Sequence, residues 1–202
     1  MDTAVSRHTQ TDTRKLILRT ARELLLTRSY LGLSFQDLAD RVGIRKASLY
    51  HHFPSKEALG IAVIEDSLQR FQRWQDGLAS QTAASQFLAY IHMFRDQIGA
   101  GHRVCPIGAT GGEWECLEPA LQDTVRRLHQ AHLDWLAQVA LRLDPGARAA
   151  SPTAEMHTSA RQWAAQVNAI CQGALINARM HADVGMFDTA LAPLVSRLNQ
   201  AH

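Results

Sequence analysis

A single glycine, Gly43, separates two short helical periods in this 202-residue chain, and that break constrains the fold more than any composition figure. Before it, Ser34 stands where a helix cap belongs, and Phe35, Leu38, Ala39 and Val42 follow on one face. After it the period resumes from Arg45 to Phe53, with Leu49 and Phe53 on the inner side. Pro54 and Ser55 stop that segment, and Lys56, Glu57, Ala58 and Leu59 open another helix. Two short helices joined by a glycine turn have the geometry that seats a second helix in the major groove of DNA.

The outward face of the second helix fits that use. At about 100° per residue, Ala47, Ser48, Tyr50 and His51 point away from Leu49 and Phe53, and Arg45 and Lys46 stand at the helix start. A helix facing only water more often carries Glu and Lys in i,i+4 pairs. These side chains suit base edges, thymine methyls and phosphate oxygens instead. The plain alternative is a helical corner that only packs against its neighbours.

Leu16 to Leu59 resembles the DNA-binding domain of TetR-family (tetracycline-repressor-like) transcriptional regulators in the pieces LILRTARELL, LSFQDLADRVGI, KASLYHHF and PSKEAL. The resemblance covers the first third of the chain. It implies an all-α fold, with a three-helix DNA-binding domain over residues 1–57 and a larger helical effector-binding and dimerisation domain over 58–202. It also implies that Ser34, Tyr50 and Lys56 contact phosphates, while Lys46, Ala47, Ser48, Tyr50 and His51 face the groove. Arg45 departs from the pattern: such regulators often carry Ser or Thr there to cap the recognition helix. The arginine leaves that cap unfilled and offers a phosphate or guanine contact.

Charge is divided in the same way. Residues 1–57 hold ten Lys and Arg against six Asp and Glu, a surplus of +4, whereas 58–202 hold eleven against thirteen, or −2. The basic end is the end with the helix-turn-helix pattern, as attraction to phosphate requires. An ordinary solvated surface would account for the asymmetry but not for that coincidence. No apolar run reaches the length of a membrane span, and the polar start MDTAVSRHTQTDTR has no signal-like apolar core, so it reads as a flexible arm. Three cysteines without a CxxC pair read as reduced thiols, and the expected location is the cytoplasm, with no membrane partner.

Beyond residue 57 the periods are helical: Lys56 to about Leu78, Ala84 to Ile98, Pro119 to Leu143, Thr153 to about Met180, and Phe187 to Asn199. The only connector rich in small residues is Pro145 to Pro152. Within the fourth period Ala164, Ala169, Gly173, Ala174 and Ala178 are small enough for helices to approach closely. Alanine is also simply a good helix former. By the resemblance, the last two helices dimerise, which adds Leu191 and Leu194 to the expected interface.

An effector pocket is expected among Met93, Phe94, Cys105, Trp114, His132, Trp135 and Trp163, on facing helices and the Gly-rich stretch before Cys116. That stretch lacks the order of a phosphate-binding loop. Arg103 beside Cys105 would lower the thiol pKa and favour electrophile or oxidant sensing; the alternative is a small buried apolar side chain. His129 and His132 have metal-compatible spacing without further ligands, so His132 reads better as a core or pocket histidine. No catalytic set, metal or cofactor is expected.

The expected function is therefore a dimeric one-component regulator, a repressor that binds a palindromic operator in double-stranded DNA and is released by a small effector. Two alternatives stand beside it. One is a thiol-based helical enzyme or redox protein using Cys105. The other is a regulator whose signal is oxidation or alkylation of Cys105.

Overall fold

Ile17, Ala21, Leu24 and Leu25 recur at helical spacing, and all four are buried on one side of helix α1 (Asp2–Arg28). The computed structural model describes residues 2–99, 102–144, 146–147 and 151–200. No glycine or proline interrupts residues 2–28, so the backbone is helical from Asp2, through the segment expected as an arm. Ser29 ends the helix in the left-handed region, at φ 64°.

Helix α2 (Phe35–Val42) begins on the expected cap: Ser34 Oγ accepts from the N–H groups of Gln36 and Asp37, at 3.2 and 3.4 Å. Such a cap is worth about 1 kcal/mol. Gly43 closes the helix at φ 77°, where a side chain would be strained, and its N–H donates to Ala39 O at 2.9 Å. Helix α3 (Lys46–His52) follows with Arg45 at its cap position and no side-chain bond there, as the departure from the family pattern implied. Ser55 Oγ caps helix α4 (Lys56–Gly77) by accepting from Ala58 N at 3.0 Å.

The remaining elements are α5 (Ala83–Ile98), the short α6 (Pro106–Gly111), a 3-10 turn (Trp114–Cys116), α7 (Pro119–Leu143), α8 (Ala154–His181) and α9 (Gly185–Gln200). Thr82 and Thr153 cap α5 and α8. Proline stands in the first turn of α7, where its missing N–H costs nothing. The fold is all-α, with no strand among the described residues. Positions 145 and 148–150 of the expected Pro145–Pro152 connector lie outside the described residues.

Two apolar cores form, and α4 passes through both. The first joins Ile17, Leu24, Leu38, Leu49, Phe53 and Leu59 of α1–α4 to Leu121, Val125 and Leu128 of α7. The second joins Phe71 of α4 to Phe87, Tyr90 and Phe94 of α5, Trp135 and Val139 of α7, Val167 and Cys171 of α8, and Phe187 and Leu191 of α9. Gly60 is what lets α4 cross α7 closely. A Cβ there would lie 3.0 Å from both Leu121 Cδ2 and Tyr30 Cε2.

Polar contacts tie α1–α4 to the rest. Tyr30 donates to Glu118 Oε2 at 3.0 Å, and Leu31 N donates to Glu113 Oε2 at 2.8 Å. Val104 N donates to Leu26 O at 3.1 Å, and Arg179 to Thr27 O at 2.9 Å. The end of α1 is therefore held by the loop before α6, by the turn before α7 and by α8.

Candidate nucleic-acid interface and effector cavity

Leu49 fixes the orientation of α3. It is fully buried, as is Phe53 at the helix end, and Arg14 of α1 lies 4.7 Å over the Phe53 ring. With that face inward, Arg45, Lys46, Ala47, Tyr50 and His51 are exposed and Ser48 is half-buried. Tyr50 keeps 49% of its surface free even though its ring leans on Phe35 of α2, 5.1 Å between centroids. An aromatic ring braced on one side and open on the other is pre-positioned for a groove or backbone contact.

Two of the residues carried over from the family have other bonds as well. Ser34 already accepts two backbone N–H groups, which leaves its O–H free to donate. Lys56 Nζ donates to Leu31 O at 3.2 Å and lies 4.6 Å over the Tyr30 ring. Burial lowers its pKa, against the opposing pull of Glu113 and Glu118. In this position the lysine belongs to the junction between the first core and α7 as much as to the outer surface.

The larger domain holds a cavity of about 250 Å3. Arg22 reaches it from α1; Ser67, Arg70, Phe71 and Trp74 come from α4; Met93 and Gln97 from α5; Cys105, Pro106 and Ile107 from the start of α6; and Leu128 and His132 from α7. The structure thus brings Met93, Cys105 and His132 together at one cavity. Phe94 and Trp135 lie behind the wall in the core, and Trp135 packs 5.1 Å from Trp74. Trp163 lines a separate cleft with Leu143 and Met156, and Trp114 sits under Arg126 at 4.8 Å. Arg22, Ser67, Phe71, Trp74 and Gln97 were not expected. They belong to helices whose sequence periods mark them only as core or surface.

The wall around His132 is ordered by stacking and hydrogen bonds. Its ring lies 3.8 Å from Phe71, nearly parallel at 3°. Tyr90 Oη is 3.0 Å from His132 Nδ1, Asn168 Nδ2 donates to the same hydroxyl at 2.9 Å, and His129 Nε2 is 3.2 Å from Asn168 Oδ1. Burial, and to a smaller extent His129, push the His132 pKa down to about 3, so the ring is neutral near pH 7. Both histidines are engaged in this chain of bonds. Among the described residues no group of three or more His, Cys, Asp or Glu is placed to hold a metal ion.

The environment of Cys105 overturns the expected activation. Arg103 turns away to pair with Glu23 at 2.6 Å. The thiol is buried, donates to Gln172 Oε1 at 2.9 Å and accepts from Gly108 N at 3.2 Å. Burial raises its pKa above the ordinary thiol value, outweighing those bonds. Proximity in sequence placed a cation beside the cysteine that the fold spends on α1.

The expected dimer residues divide between two faces. Ala164, Ala174, Ala178 and Leu191 are buried within the protomer's second core, where small side chains let α8 approach its neighbours. Leu194 is partly buried against the same core. Ala169 and Gly173 are exposed, and a Cβ at Gly173 would meet nothing within 4 Å. They continue in an outward apolar stripe with Ile170, Ile176 (48% exposed) and Met180 (69%).

No described helix is long and apolar enough to cross a membrane. Residues 17–63 match the family model of bacterial regulatory proteins, tetR family. The chain is 39% identical over 61 residues to the HTH-type transcriptional repressor NemR of Escherichia coli (strain K12), a stretch covering 30% of this chain and 31% of that relative. Over the whole fold it is similar to a TetR-family transcriptional regulator from Agrobacterium tumefaciens, with a TM-score of 0.81 and 28% identity across 93% of this chain and 97% of that one. The reduced form of E. coli NemR superposes with a TM-score of 0.72 at 24% identity, covering 90% of this chain and 94% of the other. Residues 17–63 thus belong to the tetR family of bacterial regulatory proteins, and the chain along its length has the fold of a TetR-family transcriptional regulator.

Proposed function

We propose that this protein is a homodimeric, one-component transcriptional repressor that binds a palindromic operator and releases it when a small effector enters the α4–α7 cavity. The observation that carries the reading is α3, whose inner residues are locked in the core while Lys46, Ala47, Tyr50 and His51 are left exposed. Ser48 faces the groove with them, Ser34, Tyr50 and Lys56 hold phosphates, and Arg45 adds a phosphate or guanine contact. Phosphate contacts fix the register and base-edge contacts select the sequence.

Dimerisation through α8 and α9 is supported by the outward stripe of Ala169, Ile170, Gly173, Ile176 and Met180, with exposed Met186 continuing it on α9. Such a stripe costs free energy in water and is covered when a two-fold axis brings the same face of a partner against it. Two recognition helices then meet half-sites about 34–36 Å apart, one turn of DNA. Because α4 lines the cavity at one end and starts beside α3 at the other, an effector that favours a different α4 position changes that spacing. A differential affinity of about 3 kcal/mol for the two arrangements weakens operator binding more than a hundredfold.

Selection of random duplex DNA on the purified protein, followed by sequencing, tests the reading. Enrichment of a palindrome with half-sites one turn apart is the expected result. Absence of enrichment at low salt, in a sample shown to be folded, would refute it.

A second reading, in which the signal is modification of Cys105, is favoured by the placement of that thiol in the cavity wall. Its raised pKa makes it a slow nucleophile, so the cavity would have to concentrate the reagent. Cys105→Ser that keeps the response to an electrophile such as N-ethylmaleimide would end this reading. A thiol enzyme is not supported, since neither a histidine nor a carboxylate is among the hydrogen-bond partners of Cys105.

A further inference from the structure

The hydrogen bonds behind His132 have a direction. Asn168 uses its Nδ2 to donate to Tyr90 Oη, and its Oδ1 is left to accept from His129 Nε2. The Tyr90 hydroxyl keeps its own proton to give, and we assign that proton to the bond with His132 Nδ1. His132 is therefore the tautomer that carries its hydrogen on Nε2, and no partner for that N–H occurs among the described residues. Every donor in the chain points toward the cavity, and the last one is in its wall.

A second donor reaches the cavity from α1. Arg70 is paired with Asp66 at 2.6 Å and Arg103 with Glu23 at 2.6 Å, whereas Arg22 has no ion pair among the described residues. Its Nε is shut off from solvent and makes no hydrogen bond. Unmade bonds of this kind are costly for a buried group, and more so for a charged one. They mark either a defect or a place where a ligand supplies the acceptor. The rest of the wall is aromatic: Trp74 and Phe71 stack with their ring centroids 5.6 Å apart at 16°, and the Phe71 ring lies 3.8 Å from that of His132.

We infer that the cavity is built for an aromatic carboxylate, whose oxygens accept from Arg22 and from His132 Nε2–H while its ring lies against Trp74 and Phe71. The volume, about 250 Å3, lies just below the roughly 300 to 1,000 Å3 of most ligand clefts and suits one or two fused rings. The site also has a route to the DNA-binding domain. Arg22 belongs to α1, which packs against α2 and α4, so an anion held by it engages the helix that anchors the helix-turn-helix. The inference rests on the reading of the larger domain as an effector domain.

The test is calorimetric titration of the full-length protein with benzoate, 2-naphthoate and the neutral 2-naphthamide, run beside binding to a duplex recovered by selection. One or both acids should bind, with the amide at least tenfold weaker than 2-naphthoate. Arg22→Gln should weaken the acid at least tenfold and leave the amide nearly unchanged. Comparing acid with amide needs no variant, so the idea stays testable even if Arg22→Gln fails to fold. Equal binding of acid and amide, or neither acid binding at millimolar concentration, would overturn the ligand class. If the duplex is bound in that same sample, the regulator reading survives. A protein that binds the acid at Arg22 but selects no DNA would overturn the regulator reading and leave the site.

Discussion

The hydroxyl of Tyr30, two residues beyond α1, donates a 3.0 Å hydrogen bond to the carboxylate of Glu118 at the start of α7. It joins the helix-turn-helix core to the helix that carries His132, with Lys56 lying over the same ring. Burial first, and then the bond to Glu118, raise the phenol's pKa, so the proton stays on Tyr30 and the bond persists across the neutral range. In the proposed mechanism this pair couples the DNA-facing end to the cavity.

Removing that hydroxyl in Tyr30→Phe keeps the ring and its packing. The expected loss is about 1 kcal/mol of stability, read as a lower urea midpoint at unchanged slope. The same variant should also respond less to effector, measured as operator release. An unchanged midpoint together with an unchanged response would remove Tyr30–Glu118 from the coupling.

Tyr50→Ala takes away an exposed ring on α3 that contributes little to the core. Operator affinity should fall by tenfold or more while the dimer stays intact. Electrophoretic mobility shift and analytical ultracentrifugation on the same sample check both halves. Unchanged affinity, or a dissociated dimer, counts against the assigned role.

Gly173 has open space around it, and Ile176 is exposed one turn further along the same stripe. Gly173→Arg and Ile176→Asp should therefore leave the protomer folded but separate the dimer. Sedimentation should show monomers with an unaltered far-UV circular dichroism spectrum. Intact dimers in both variants would move the interface elsewhere on the surface.

His132 sets a pH dependence whose sign follows from its environment. Folding lowers its pKa from the usual 6.5 to about 3, so between those values the unfolded chain binds the extra proton. Stability from this group is fully present above pH 6.5 and is lost as pH falls toward 3, by roughly 4–5 kcal/mol in all. Denaturant titrations from pH 7 to 4 should show a shallower decline in His132→Phe than in the parent. Parallel declines would place the acid sensitivity in other groups.

The helix-turn-helix was legible because its determinants are local. Ser34 caps within its own turn, Gly43 takes a left-handed φ that other residues avoid, and Leu49 and Phe53 share a face by spacing alone. The Pro119–Leu143 helix was equally plain, since proline opens it and its apolar period is unbroken. The cavity was only partly legible. Met93, Cys105 and His132 could be named, but Arg22, Phe71 and Trp74 reach it from α1 and α4, and no spacing rule links those positions. Alanines in α8 read as interface material, yet Ala164, Ala174 and Ala178 serve the protomer's own close packing.

What the sequence determined by itself, then, were caps, turns, helical periods and the outward face of α3, because each depends on residues within a few positions of one another. Tertiary structure alone decided which partner a charge finds and which face of a helix is left uncovered. Arg103 pairs with Glu23, not with the neighbouring thiol, and Arg22, which lines the same cavity as His132, has no ion pair among the described residues. Burial then sets the ionisation of Cys105 and His132, since desolvation depends on every helix packed around them and not on their neighbours in the chain.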